Sequence, residues 1–283
     1  PDPSRDDVAR SLNQHLCRCT GYKKILDGIL EAGRLLRGGA PAAAPPATGK
    51  VGTRLPKYDI ESAILGRRDY VADLSVPGML HAALRLSDHP RGVVLSIDAA
   101  PARVLPGVAG VFLAEDVPGK RLQGSIVKDW PVLVAAGETT RYVGDVLAVV
   151  IADTRERARA AAAAVGVEYR VLEPVLSVDA ALAPGAPRLH EKGNILSVSR
   201  AKKGDALGAL QGCDHVVEAV YQTQVIEHAF LEPEACLAVP QEGGLSVYTQ
   251  SQGVYEDRKQ LAALLGVVES AVNVVLVPNG GGF

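Results

Sequence analysis

The sequence lacks the features of a secreted, disulfide-stabilised or membrane-spanning protein. Its 283 residues include only four cysteines, too few for a disulfide framework in a chain of this size. No run approaches the ~20 apolar residues of a membrane span. The opening residues, Pro1 to Ser4, offer neither a basic n-region nor an apolar h-region. We therefore expect a cytoplasmic chain with reduced cysteines.

Several common functional motifs are also missing. The sequence contains no phosphate-binding loop, no dinucleotide-binding Gly-x-Gly-x-x-Gly, no nucleophile elbow and no zinc ribbon. A formal charge of −2 and a pI near 6.4 argue against nucleic acid or an anionic membrane as a partner. Hydrophobic residues make up 47% of the chain, which suffices for a core, and the length suggests about two domains.

Two of the four cysteines, Cys17 and Cys19, are separated by one residue. A tight turn can direct both sulfurs toward one metal ion or cluster. Two protein sulfurs satisfy neither zinc nor iron, so a metal site needs further ligands. Two neighbouring reduced cysteines without a metal would have the same spacing, and the spacing alone leaves both interpretations open. Cys213 and Cys236 are far apart in sequence and are predicted to be core thiols.

Two helices are predicted around this pair. Ser4 can cap a helix over residues 4–16, and helical periodicity continues over residues 22–36 until Gly38 and Gly39 stop it. About thirty residues cannot bury a core alone. The Pro- and Ala-rich residues 40–50 are predicted to be a linker.

The central part of the sequence has the pattern of an α/β unit that ends near residue 178. An apolar run over residues 143–151 is typical of a buried strand, and Thr154 can cap the alanine-rich helix that follows it. The remaining predicted elements are strands over 79–86, 91–97, 108–113 and 167–171, and a short helix over 97–105.

A third region begins after residue 179. Alternating residues predict a strand over 214–224. Further strands are predicted over 236–240, 245–250 and 272–277, and a helix over 255–265. The final strand leads into a triple-glycine loop, and Met79 is the only methionine. From these two observations we expect the chain to be a fragment of a longer protein.

Two stretches of this third region could carry chemistry. His228 with Glu232 or Glu234 could serve acid–base or metal chemistry, although such clusters are more often structural networks. Gln250 closes a strand with an amide that can hydrogen-bond a ligand, as a surface turn also could. Gly281, Gly282 and Phe283 belong to a loop whose backbone can approach a ligand closely, or to a flexible tail.

Taken in order, these motifs resemble the molybdenum hydroxylases, the family of xanthine dehydrogenase and aldehyde oxidoreductase. The string Leu-Cys-Arg-Cys-Thr-Gly-Tyr at 16–22 is similar to half of the family's [2Fe-2S] signature. The strings at 78–82 and 142–148 resemble its α/β hammerhead domain. Residues 224–234, 249–250 and 280–283 resemble the opening of its molybdopterin-binding domain.

The resemblance implies an α+β, multidomain fold. Residues 1–39 would be the C-terminal part of a helical [2Fe-2S] domain and 40–56 a linker. Residues 57–180 would be the hammerhead domain, and 181–283 the N-terminal part of an α/β molybdopterin-binding domain.

Residue roles follow from the same resemblance. Cys17 and Cys19 would ligate iron. Gln250 would lie beside the molybdenum oxo group, and Gly281, Gly282 and Phe283 would contact the molybdopterin cofactor. His228 and Glu232 would support this site. No catalytic residue is implied within the sequence, since the family's catalytic glutamate and substrate-pocket arginine match nothing in it.

The implied function is oxidation of a purine, another N-heterocycle or an aldehyde, with water as oxygen donor and a [2Fe-2S] cluster as electron acceptor. The cluster's second cysteine pair and any FAD module would come from the rest of the enzyme or from companion subunits, and the intact enzyme could be a homodimer. The chain alone is expected not to turn over. The alternatives are a non-catalytic iron–sulfur electron-transfer or assembly subunit, and a module in which Cys17 and Cys19 hold zinc.

Overall fold

The computed structural model describes residues 2–17, 20–41, 43, 49–53, 55–229 and 232–281. Its helices are α1 (Arg5–Ser11), α2 (Lys23–Leu36), α3 (Ile60–Ile64), α4 (Ala100–Arg103), α5 (Arg155–Ala164), α6 (Val178–Leu182), α7 (Ala206–Gln211) and α8 (Val254–Leu265). Its strands are β1 (His81–Leu86), β2 (Gly92–Asp98), β3 (Val108–Phe112), β4 (Leu122–Gln123), β5 (Trp130–Pro131), β6 (Val146–Ala152), β7 (Gly166–Val171), β8 (Cys236–Gln241), β9 (Gly244–Thr249) and β10 (Val272–Leu276). Within these described ranges, none of the helices is both long and apolar enough to cross a bilayer.

The chain forms two compact units. One consists of residues 1–74, 224–254 and 273–283, and the other of residues 75–223 and 255–272. The first unit contains the antiparallel β8–β9 hairpin, in which Leu237 lies opposite Tyr248, and the three-stranded sheet order is β10-β9-β8. The second contains the other sheets.

The two predicted N-terminal helices are present, with one shorter than predicted. Ser4 caps α1 as expected: its hydroxyl accepts from the amide of Asp7 at 3.2 Å, and the Asp7 carboxylate accepts from the amide of Ser4. The prediction that this helix reaches residue 16 is wrong, because α1 ends at Ser11, whose hydroxyl bonds back to the carbonyl of Val8 at 2.7 Å. Helix α2 ends at residue 36 as predicted.

The core of the second unit is an antiparallel sheet with β6 in the middle. Strands β1 and β3 pair with opposite edges of β6, and helix α5 packs against this sheet. Three fully buried side chains of the interface, Ala148, Val150 and Ala161, are small enough for helix and sheet to approach closely. The predicted buried strand is confirmed over 146–151, and Thr154 caps α5 by accepting from the amide of Arg157.

Smaller elements brace the unit around this core. Strands β2 and β7 form an antiparallel ribbon, and β4 and β5 form a short pair. Thr140 is fully buried, and its hydroxyl accepts from the amide of Gly92 at 3.0 Å. Arg121 holds both carboxylate oxygens of Glu138, at 2.6 and 2.8 Å. Burial raises the pKa of Glu138, but bonds from Arg121 and from the amide of Ala135 outweigh it, so this pKa lies below its usual value.

The predicted strand over 214–224 is wrong. Residues 215–229 have neither helical nor strand structure, and Val217 and Val220 are 90% and 98% exposed. Alternation of polar and apolar residues is compatible with the two faces of a strand, but a strand also needs a neighbouring strand to pair with. None of the described strands pairs with this segment. The short helix predicted over 97–105 is confined to α4, and β4, β5, α3, α6 and α7 were not predicted.

Candidate functional site

The candidate site lies where two neighbouring strands of the first unit end. The side-chain amide of Asn273 bonds to the hydroxyl of Ser246 at 3.2 Å, and the backbone amide of Val277 bonds to the carbonyl of Thr249 at 2.8 Å. Both contacts advance in the same direction along the two strands, so β9 and β10 run parallel. Crevices outside the carboxyl ends of parallel strands are preferred ligand sites in α/β sheets.

Gln250 follows the last residue of β9 and lies in a small polar network. Its amide nitrogen is 3.3 Å from the carbonyl of Pro233, and its backbone carbonyl accepts from the side-chain amide of Asn279 at 3.3 Å. Asn279 follows β10, so the network joins the ends of both strands. The side-chain oxygen of Gln250 is buried and has no hydrogen-bond partner among the described residues.

Glu232 approaches the same loop from the segment before β8. Its Oε2 accepts from the backbone amide of Gly280, and its Oε1 is buried without a partner in the described part of the chain. A Cβ at position 280 would lie 2.6 Å from the Cβ of Glu232, so only glycine allows this contact. The glycine loop is therefore fixed to both Glu232 and Gln250.

The donor set fits a bound polar group. Buried polar atoms in proteins are nearly always hydrogen-bonded, whereas two buried acceptors at this junction, on Gln250 and Glu232, have no donor within the described ranges. Molybdopterin carries N–H donors that such acceptors could bind. A terminal amide can also rotate to offer its N–H₂ instead, so Gln250 suits either a donor or an acceptor on the ligand.

The structure describes only some of the other predicted residues of this region. His228 lies in the exposed, irregular segment, directly before Ala229, whose backbone has a positive φ of 47°. Gly281 directly follows Gly280 at the edge of the described residues. Gly282 and Phe283 lie outside them, so their predicted cofactor contacts stay predictions, as does the pairing of His228 with Glu232.

The turn that carries Cys17 is braced by an aromatic hydroxyl. The oxygen of Tyr22 accepts from the amide of Cys17 at 2.7 Å and donates to the carbonyl of His15 at 2.9 Å. The Cys17 sulfur lies 3.0 Å from the hydroxyl of Thr20. Gly21 and Tyr22 both have a positive φ, which turns the chain into α2. The Tyr22 hydroxyl therefore connects Cys17 to the residue just before α2.

The iron site stays a prediction. Cys19 lies outside the described residues, and among those described no group of three or more His, Cys, Asp or Glu side chains could hold a metal ion. Of the two predicted sulfur ligands, the described residues include Cys17. Any cluster would need sulfurs in addition to it.

Sequence reasoning overlooked three residues of these sites. Asn279 and Pro233 bond to Gln250, and Tyr22 braces the Cys17 turn. The position of Asn279 between a strand and a glycine run was an available signal. Tyr22 stood within the cysteine motif without an assigned role. The carbonyl of Pro233 could not be found from sequence, because any residue supplies one.

Two family models and several known proteins match this chain. Residues 65–173 match the family model "Aldehyde oxidase and xanthine dehydrogenase, a/b hammerhead domain", and residues 189–283 match the "Molybdopterin cofactor-binding domain". The chain is 38% identical over 226 residues to a probable xanthine dehydrogenase subunit of Bacillus subtilis, covering 80% of the chain and 30% of that protein. It is 35% identical to the nicotinate dehydrogenase large molybdopterin subunit of Eubacterium barkeri, covering 80% and 53%.

Solved structures share the fold of this chain. Aldehyde oxidoreductase from Desulfovibrio gigas superposes with a TM-score of 0.88 at 29% identity, covering 100% of this chain and 33% of that one. Quinoline 2-oxidoreductase from Pseudomonas putida 86 gives a TM-score of 0.72 at 29% identity, covering 86% and 32%. The chain thus spans between about a third and about half of the length of these relatives.

The chain belongs to the molybdenum hydroxylase family of xanthine dehydrogenase and aldehyde oxidoreductase. This class is defined by the two domain matches together with these relatives. Within that family it carries the hammerhead domain followed by molybdopterin-binding sequence.

Proposed function

We propose that this chain is part of a molybdenum hydroxylase that oxidises a purine, another N-heterocycle or an aldehyde and takes the inserted oxygen from water. The observation that carries the proposal is the junction at the ends of β9 and β10. There the side chains of Gln250 and Glu232 each have a buried oxygen with no hydrogen-bond donor in the described ranges. Glu232 also contacts the backbone of Gly280. All three residues lie in the segment that matches the molybdopterin-binding domain.

Bound molybdopterin would hold the molybdenum ion that activates water as a nucleophile and accepts the substrate's electrons. The chain's own residues would bind and orient it. Gln250 would direct its side-chain amide at the bound group, while Asn279 and Pro233 hold that residue in place. Gly281 would let the backbone approach. Phe283 would lie at the same loop.

The hammerhead segment has no assigned side chain in this chemistry. We propose that it is a scaffold, and that the domain boundaries are those expected from the sequence, at 1–39, 40–56, 57–180 and 181–283. The catalytic base and the substrate-selecting side chains would belong to other parts of the enzyme. They set which class of substrate is oxidised.

We further propose that Cys17 and Cys19 are half of a [2Fe-2S] site. Support comes from the braced turn at Cys17 and from aldehyde oxidoreductase of Megalodesulfovibrio gigas, whose match at 30% identity extends over the whole of this chain. Electrons would leave through this cluster toward companion domains or subunits, where any FAD would be held. The proposed intact enzyme would work in the cytoplasm and could assemble as a homodimer.

One experiment tests the function. The full-length enzyme that contains this sequence is purified, its molybdenum and iron are measured by plasma mass spectrometry, and xanthine, nicotinate and benzaldehyde are supplied in ¹⁸O-labelled water. We expect molybdenum, iron, and labelled product from at least one substrate class. Iron without molybdenum or turnover would instead support the electron-transfer or assembly subunit, and zinc alone would eliminate both redox functions.

A further inference from the structure

Glu232 joins two segments that are 48 residues apart in sequence. It lies before β8, whereas its partner, the backbone amide of Gly280, lies after β10. A backbone amide in a glycine loop has little else to fix it, since glycine brings no side chain to pack. The carboxylate of Glu232 therefore anchors the backbone amide of Gly280.

The contact is close and specific. A methyl group at position 280 would meet the Cβ of Glu232 at 2.6 Å and its Oε2 at 3.0 Å. The neighbouring residue, Asn279, is held separately by the carbonyl of Gln250 at 3.3 Å. Two independent hydrogen bonds thus fix consecutive loop residues to two different segments.

The second oxygen of Glu232 is the informative atom. Oε1 is buried and has no partner in the described structure. A buried carboxylate oxygen without a donor is costly, because it has lost water and gained nothing in exchange. Such an atom indicates a donor that is supplied from outside the described residues.

We infer that Glu232 is a positioning residue with two separate tasks: Oε2 fixes the amide of Gly280, and Oε1 accepts an N–H donor from the bound pterin cofactor. The second task rests on the proposed function. The first does not, because the Gly280 contact is made within the chain itself.

The Gln variant separates the two tasks. In E232Q the amide oxygen can still accept from Gly280, but an N–H₂ group then replaces the acceptor Oε1. In E232A both contacts are lost. E242Q is the matched control, since Glu242 is an exposed carboxylate in the turn between β8 and β9.

The three variants are made in the full-length enzyme. Deuterium uptake of the peptide that contains residues 277–281 reports on the loop, and molybdenum per chain reports on the cofactor. For E232A we expect this peptide to exchange about tenfold faster than in the wild type, because about this factor corresponds to the loss of one hydrogen bond. For E232Q we expect exchange close to that of the wild type, with molybdenum reduced at least about threefold. E242Q should match the wild type in both.

Each contrary result overturns a stated part. Unchanged exchange in E232A would show that Glu232 does not fix Gly280. Full molybdenum content in E232Q would show that Oε1 accepts no hydrogen bond from the cofactor. Faster exchange of the loop peptide in E232Q would show that the donor to Oε1 belongs to the loop instead. A wild-type enzyme without molybdenum would overturn the proposed function and the role of Oε1, while exchange in E232A would still decide the contact to Gly280.

Discussion

The Nδ1 atom of His190 lies 2.7 Å from Oδ2 of Asp129. The pair connects the irregular segment after α6 to the residue that precedes β5. The hydrogen bond from His190 lowers the pKa of Asp129 below its ordinary value, and Arg141 adds a smaller effect of the same sign. The ring of Trp130, 6.5 Å from that of His190, packs beside the pair.

This pair predicts a pH-dependent effect of H190A. A carboxylate whose pKa is lowered by folding stabilises the fold above its unfolded pKa of about 3.9, and the stabilisation is lost as the pH falls through the folded value. We therefore expect H190A to lower the urea unfolding midpoint at about pH 5 to 6 and to have a diminishing effect toward about pH 2. In a D129N background H190A should lose this pH dependence; if the dependence persists, Asp129 is not its source.

The buried hydroxyl of Thr140 predicts a specific destabilisation. T140V keeps the shape of the side chain but leaves the amide of Gly92 without its acceptor. A buried donor without a partner costs about 1–3 kcal/mol of unfolding free energy. T139V is the control, because Thr139 is exposed. Equal midpoints for both variants in urea unfolding would contradict the assigned role of the hydroxyl.

The alanine face of α5 predicts intolerance of larger residues. Ala161 is fully buried against the sheet, whereas Ala160 on the same helix is exposed. A161L should therefore reduce the unfolding free energy by about 1–3 kcal/mol through overpacking. A160L should leave it nearly unchanged, since leucine is a good helix former. Thermal unfolding of both variants, followed by circular dichroism, makes the comparison, and an unchanged melting temperature for A161L would refute the close packing.

The two-point contact between Arg121 and Glu138 predicts that lysine is a poor substitute. R121K keeps the charge but loses the planar fork that holds both carboxylate oxygens and the carbonyl of Leu133. The side chains are 24% and 37% exposed, so solvent screening limits the loss to about 1 kcal/mol. Chemical unfolding measures it. R159K on the exposed surface of α5 should cost nothing measurable, and an equally small effect of R121K would mean that the charge alone suffices.

The proposed site predicts a functional role for Gln250. In the full-length enzyme, Q250A should reduce kcat by about 10²-fold, the typical loss of one oriented hydrogen-bonding group at a reacting centre. Q252A is the control, because Gln252 is exposed two residues further on. Steady-state kinetics with the preferred substrate measures both. Wild-type kcat in Q250A would exclude Gln250 from the site.

The elements predicted from sequence were those whose signals are local. The apolar run of β6, the cap at Thr154 and the two strands of the β8–β9 hairpin each depend on neighbouring residues, and the structure contains all three. The strand over 214–224 failed, because pairing depends on a distant partner that alternation cannot reveal.

The candidate site was predicted in the same uneven way. Gln250 and the glycine loop were found as strings after strands, and the structure places Gln250 and Gly280 in one network. The bond from Gly280 to Glu232 depends on long-range geometry, as does the role of Asn279. A local sequence motif does not specify which distant polar group will become its hydrogen-bond partner.

The position of β6 between β1 and β3 has a consequence for how this chain folds. Both outer strands precede β6 in the sequence, so during synthesis each leaves the ribosome before the strand that it must pair with. Pairing across such a separation carries the entropy of closing a long loop, which slows folding. Until residues 146–152 emerge, two unpaired strands are open to association with other chains. The nascent protein is therefore exposed to aggregation in that interval.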